Sequence, residues 1–194
     1  MKKKTTQVRC FLFIALVMLA NVVMAKDNPY RKIDATKLPA VADLNVISDS
    51  LISSGLPNPE HFKGFAEAGV EAVVSVLSPN DKLQTDLCAI QEAGLIFTSV
   101  PYNTVNPVAS IEAFRATMDM LKGKRIIVFC RRNFRSSTMV YMWNRLVTGE
   151  DDHNFIKGKV SMDSLIMTVE PKNRHKLYDF IKPLEKHYGI KVLK

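Results

Sequence analysis

The chain has 194 residues, the length of a single domain with one full core. Its 27 basic residues outnumber 19 acidic ones, but four of the basic ones, Lys2, Lys3, Lys4 and Arg9, precede an apolar stretch from Cys10 to Ala20 and then Val23-Met24-Ala25. This is the pattern of a secretory signal peptide cleaved after Ala25. Cleavage leaves 23 basic residues against 19, a net charge of +4 with no basic stripe or aromatic interleaving, so no nucleic-acid partner is expected.

Export to the periplasm or beyond the cell follows from that segment. Contact with a membrane is expected only if it stays uncleaved, and its apolar run is short for a span of about 20 residues. Cys88 and Cys130 alone remain after cleavage, too few for a disulfide scaffold. Either they pair, or Cys130 stays free for chemistry.

Residues 26–44 are polar, carry Pro29 and Pro39 and show no period, which predicts an extended lead-in to a single domain over 45–194. Val46 to Ser54 reads as a hairpin around Ser48-Asp49-Ser50, and Asn58-Pro59-Glu60 as a helix start running to Gly69. Glu71 to Leu77 is a valine-rich strand, Ser78 to Lys82 a loop, Leu83 to Ala93 a helix that packs Cys88, and Leu95 to Val100 a strand. Asn106 to Leu121 is a helix with Ile111, Phe114, Met118 and Leu121 on one stripe. Arg125 to Phe129 is a buried strand and Ser136 to Leu146 a helix. The tail from Gly149 is polar, with a last helix over Pro171 to Tyr188. Strands alternating with helices predict an α/β fold, a mainly parallel central sheet covered on both faces, with ligands at the carboxyl ends of its strands.

The most informative run is Lys124 to Thr138. Its strand ends on a lone cysteine and passes through a tight loop bearing Arg131, Arg132 and Arg135 into a helix N-terminus. Converging backbone N–H groups, the helix dipole and the arginines all favour a thiolate there. Burying a thiol as a small hydrophobe needs none of them. His61, His153, His175 and His187 show no metal-ligand spacing and read as surface residues. No cofactor is expected.

Leu51 to Pro59, Gly69 to Leu77, Phe97 to Tyr102 and Val128 to Ser136 occur in the order seen in a bacterial phosphatase-like family. That family is similar to the dual-specificity tyrosine phosphatases and includes the domain fused to some β-lactamase-like hydrolases. The resemblance spans roughly residues 45–150. It implies Cys130 as the nucleophile forming a phosphocysteine, Arg135 as the fork that clamps phosphoryl oxygens, and Ser136 as the hydroxyl supporting the departing thiolate. Arg131, Arg132, Asn133 and Phe134 would line the cradle, mainly through backbone donors. The implied partner is a phosphorylated small molecule or protein.

Three positions depart from the family. Asn133 stands where relatives usually carry glycine, and asparagine tolerates the left-handed conformation better than most residues. Phe129 replaces the histidine that often precedes the cysteine. Pro101 to Val105 offers Asn103 and Thr104 where an aspartate acid is usual, leaving Asp81 as the substitute, or as a solvated turn residue. Cys130 and Arg135 are also separated by four residues rather than the five of tyrosine phosphatases. Rhodanese-type sulfurtransferases hold a persulfide in such a loop, so sulfur transfer at Cys130 is the alternative reaction. A pocket that binds phosphate or sulfate without turnover is a third reading.

Overall fold

The structure is a computed structural model that describes residues 32–78 and 86–194; residues 1–31, with the signal segment, and residues 79–85, with Asp81, lie outside the described residues. Lys32–Lys194 forms one compact unit. Five strands make its sheet, in the order β1-β2-β5-β3-β4. The Asp49-Ser50 turn folds β1 (Asn45–Ser48) antiparallel onto β2 (Leu51–Ser54), and every other pairing is parallel.

The central strands are buried on both faces, which is why β5 (Ile126–Phe129) is an unbroken apolar run. On one face Ile52, Val73, Ile127 and Phe129 pack against Phe62 and Phe65 of α1 (Pro59–Glu67) and Ile90 of α2 (Leu87–Glu92). On the other, Leu51, Val74 of β3 (Ala72–Ser75), Val128 and Cys130 meet Ile111 and Phe114 of α3 (Pro107–Met120) and Met139 and Val140 of α4 (Phe134–Thr148). Each such fully buried side chain contributes about 1.5–3 kcal/mol.

Several expectations change in the structure. The lead-in, from Lys32 on, lies against the first face: Ile33 and Val41 are buried, and the Ile33 and Asp34 N–H groups donate to Asp49 O and Ala68 O. The tail from Gly149 is not simply polar. It carries a short helix, α5 (Met162–Met167), before α6 (Pro171–Tyr188), and its Leu165, Ile166, Phe180, Ile181 and Leu184 are fully buried in the second face. Six residues are too few to show a helical period, so α5 is invisible to pattern reading.

Cys88 is exposed rather than packed, and both it and Cys130 are free thiols. Helix α4 begins two residues before Ser136. Two of the four histidines do more than sit on the surface: His61 Nδ1 accepts the Asn58 N–H at 3.1 Å as part of a helix cap, and His153 stacks on Tyr141.

Parallel register puts the ends of β2, β5, β3 and β4 (Ile96–Ser99) level, with Ser54 beside Phe129, Phe129 beside Ser75, and Ser75 beside Ser99. Gly55, Cys130, Val76 and Val100 therefore leave the sheet along one edge. That edge holds the candidate site.

Candidate active site

Cys130 follows β5 directly, and its N–H still donates to Ser54 O at 3.2 Å, extending the ladder by one residue. Alternation along the strand turns its side chain to the α3/α4 face, where it is 1% exposed. The chain then reverses through Arg131 and Arg132. Leu56 N–H donates to Arg131 O at 3.3 Å, and Gly55 pairs with Arg132 across an isolated antiparallel bridge. These contacts fix the outer wall of the loop to the segment after β2.

Asn133 makes the turn into α4, with φ 56° and ψ 8°, a left-handed conformation open to asparagine and glycine but costly for most residues. Its amide is fully buried and used at both ends. Nδ2 donates to Asp43 O at 2.6 Å, and Oδ1 accepts the Ser136 and Ser137 hydroxyls at 2.7 and 3.1 Å. Ser136 Oγ lies 3.4 Å from Cys130 Sγ and 3.3 Å from Ser54 O. The first turn of a 15-residue helix thus opens beside the sulfur, and the positive end of the helix dipole lies there.

The three arginines divide by exposure. Arg131 and Arg132 point to solvent, Arg132 lying 3.7 Å from Glu170, while Arg135 on the first turn of α4 is half-buried. Crowding cations next to a thiol is tolerable because two of them remain hydrated. Lys157, which the sequence did not single out, closes the rim. Its Nζ pairs with Asp43 at 2.7 Å, donates to Arg132 O at 3.3 Å and lies 4.4 Å from the centre of the Phe134 ring.

The loop after β4 contains no carboxylate. Asn103 Oδ1 is occupied, accepting the Val105 and Asn106 N–H groups at 2.8 and 3.4 Å, and Asn103 N–H donates to Ser110 Oγ at 3.0 Å. Thr104 is half-buried in the same turn. The residue that this loop does bring inward is Tyr102, which sequence reading missed. It is 4% exposed, stacks on Phe180 with ring centres 4.1 Å apart, and its hydroxyl reaches Lys176 O at 3.5 Å. Burial holds its phenol well above the usual value; the Arg135 charge opposes this, while Cys130 and Asp179 reinforce it. Tyr102 therefore stays protonated inside the field of both loop residues. Its only sequence signal was position, just past a strand's carboxyl end.

No family model and no curated protein matches the chain. Among solved structures, a candidate phosphatase of the DUF442 group from Shewanella putrefaciens CN-32 is 28% identical, with a TM-score of 0.60 over 76% of this chain and 97% of that one. The chain is similar to this phosphatase-like protein in sequence and in fold. The same architecture recurs in Tk-PTP in its active form, at 18% identity and a TM-score of 0.52 over 74% and 97% of the two chains. TpbA from P. aeruginosa shares it at 16% identity and a TM-score of 0.55, over 73% and 84%. The phosphatase-like fold is thus the α/β architecture expected from alternating strands and helices, with the cysteine loop at the strand edge.

Proposed function

We propose that this phosphatase-like chain is a cysteine-dependent hydrolase of phosphate monoesters, best suited to aryl phosphates of the phosphotyrosine kind on a small molecule or protein. The observation that carries the reading is the Ser136 hydroxyl 3.4 Å from Cys130 Sγ, at a strand end facing the first turn of α4. Donors preorganised around a forming charge are the main source of rate in such sites.

In the proposed reaction the Cys130 thiolate attacks phosphorus, forming an S–P bond as the P–O bond to the leaving group breaks. Arg135 and the amides of Arg131 to Ser136 hold the three equatorial oxygens. Water then attacks phosphorus, inorganic phosphate leaves, and the electron pair returns to Sγ, where the Ser136 hydroxyl supports it. Asp81, Asn103 and Thr104 divide the question of the leaving group's proton: the two loop residues offer no acid, and Asp81 is the remaining carboxylate candidate.

The four-residue separation of Cys130 and Arg135 supports a second reading, transfer of sulfane sulfur through a Cys130 persulfide. Thiolate leaving groups need little protonation, so that reaction requires no acid. One experiment separates the two: the purified mature domain is assayed with p-nitrophenyl phosphate, and with thiosulfate plus a thiol acceptor. Turnover of the phosphate alone is expected, and turnover of thiosulfate alone would overturn the phosphatase reading. Residues 1–25 support export, and sequencing the exported protein should find Lys26 at its N-terminus.

A further inference from the structure

The Ser136 hydroxyl has one proton and three acceptors within reach: Asn133 Oδ1 at 2.7 Å, Ser54 O at 3.3 Å and Cys130 Sγ at 3.4 Å. The shortest contact is the one to the asparagine. Its amide cannot be flipped, because Asp43 O, 2.6 Å away, can only accept, so nitrogen faces Asp43 and oxygen faces the serines. With its proton on Asn133 Oδ1, the Ser136 oxygen presents lone pairs to sulfur. In that arrangement it accepts from a thiol and offers nothing to a thiolate.

We propose that Asn133 is a positioning residue that sets how readily Cys130 ionises, by holding the Ser136 proton away from sulfur until a thiolate draws it across. The chain in the thiol state runs Cys130 S–H to Ser136 Oγ, and Ser136 O–H to Asn133 Oδ1. When sulfur loses its proton, the hydroxyl rotates and donates to Sγ. Asn133 Oδ1 then keeps only the Ser137 hydroxyl, 3.1 Å away. Leaving a buried acceptor short of a donor is costly, so the asparagine opposes ionisation and Ser137 lessens that opposition. A glycine at this position would make the same left-handed turn without competing for the proton.

The inference rests on the proposed role of Cys130 only for its consequence in catalysis: the same rotation would accompany return of the electron pair to sulfur. The other charged and titratable groups facing the sulfur are distinct from the switch among the described residues. Arg135 comes from α4 and the protonated Tyr102 from the loop after β4, while Arg131 and Arg132 of the cysteine loop point to solvent. Asp179 of α6 acts on Tyr102, and the end of β2 contributes only the neutral Ser54, with Gly55 after it.

The test needs no substrate. Alkylation of Cys130 by iodoacetamide is followed against pH in the full chain by mass spectrometry of the Cys130 peptide, since the exposed Cys88 also reacts. Asn133→Gly should lower the midpoint of the profile by roughly 0.5–1 pH unit, a three- to tenfold gain in reactive fraction on its acid side. That drop should vanish when both proteins also carry Ser136→Ala. Ser137→Ala should move the midpoint up, because Oδ1 then has Ser136 as its sole hydroxyl donor, and this rise too should vanish in Ser136→Ala. An Asn133→Gly drop that persists without Ser136 overturns the inference, as does a Ser137→Ala midpoint that is unchanged or lower. If Asn133→Gly does not fold, the Ser137 arm decides alone. A protein that shows these shifts but hydrolyses nothing would refute the phosphatase reading and leave the proton switch standing.

Discussion

Gly55 and Arg132 face each other across an isolated antiparallel bridge, and the Gly55 α-carbon has no room for a side chain: a Cβ there would sit 2.7 Å from Ala42 O and 3.3 Å from Arg131 O. Both neighbours are backbone, so neither can swing aside. Gly55→Ala should therefore destabilise the domain by about 1–3 kcal/mol, the usual cost of overpacking, and lower Tm by roughly 2–4 °C per kcal/mol for a chain of this size. Because Arg131 and Arg132 belong to the cysteine loop, the variant's KM for an aryl phosphate should also rise. Thermal unfolding matching wild type would show that the segment after β2 does not clamp the loop.

Cys130→Ser should abolish turnover and keep anion binding, since serine preserves the loop and removes only the nucleophile. Phosphate titration followed by calorimetry, beside a rate assay, checks both halves. A serine variant turning over at the wild-type rate would remove Cys130 from the reaction.

Arg135→Lys is predicted to be nearly as damaging as Arg135→Ala. A guanidinium presents a planar fork to two phosphoryl oxygens, while an ammonium is a point charge on a flexible stem. Comparing kcat/KM of the two variants tests this. Near-normal kinetics in the lysine protein would mean that charge alone suffices.

The sequence carried the site's frame further than its furnishing. Apolar runs between helical stripes marked β3, β4 and β5, a hairpin pattern marked β1 and β2, and Cys130 stood out because arginines crowd a strand end. The left-handed turn at Asn133 was legible too, since few residues other than asparagine and glycine tolerate it. What stayed hidden depends on contacts distant in sequence. Tyr102 is fixed by Phe180, and Lys157 by Asp43, pairs more than 70 residues apart. Cys88 was misread for a related reason: a six-residue helix buries so little that a small apolar residue on it can face solvent.

Stability should fall at both ends of the pH range through one surface pair. The Tyr188 hydroxyl donates to Glu112, and that bond, aided by Arg115, holds the Glu112 carboxyl below its ordinary 4.5; burial, then the same bond, pushes Tyr188 up to about 12. A depressed carboxyl stabilises the fold above its unfolded value and loses that contribution as pH falls. A raised phenol stabilises it below about 10 and loses it as pH climbs toward 12. Tyr188→Phe should flatten both flanks in urea melts taken across pH. Identical flanks in the variant would count against the linkage.

The last prediction concerns the leaving group. With Asn103 committed to the backbone of its own turn, the loop after β4 cannot protonate a departing oxygen as an aspartate would. If Asp81 does not compensate, the leaving group must depart as an anion. General acid assistance contributes about 10²–10⁴-fold, so aryl phosphates should outrun alkyl phosphates such as phosphoserine by a comparable margin. The rate across a series of substituted phenyl phosphates should fall steeply as leaving-group pKa rises, and Asp81→Asn should hardly change that slope. A shallow dependence in wild type that becomes steep in Asp81→Asn would identify Asp81 as the acid, supplied from the loop after β3 instead of the loop after β4.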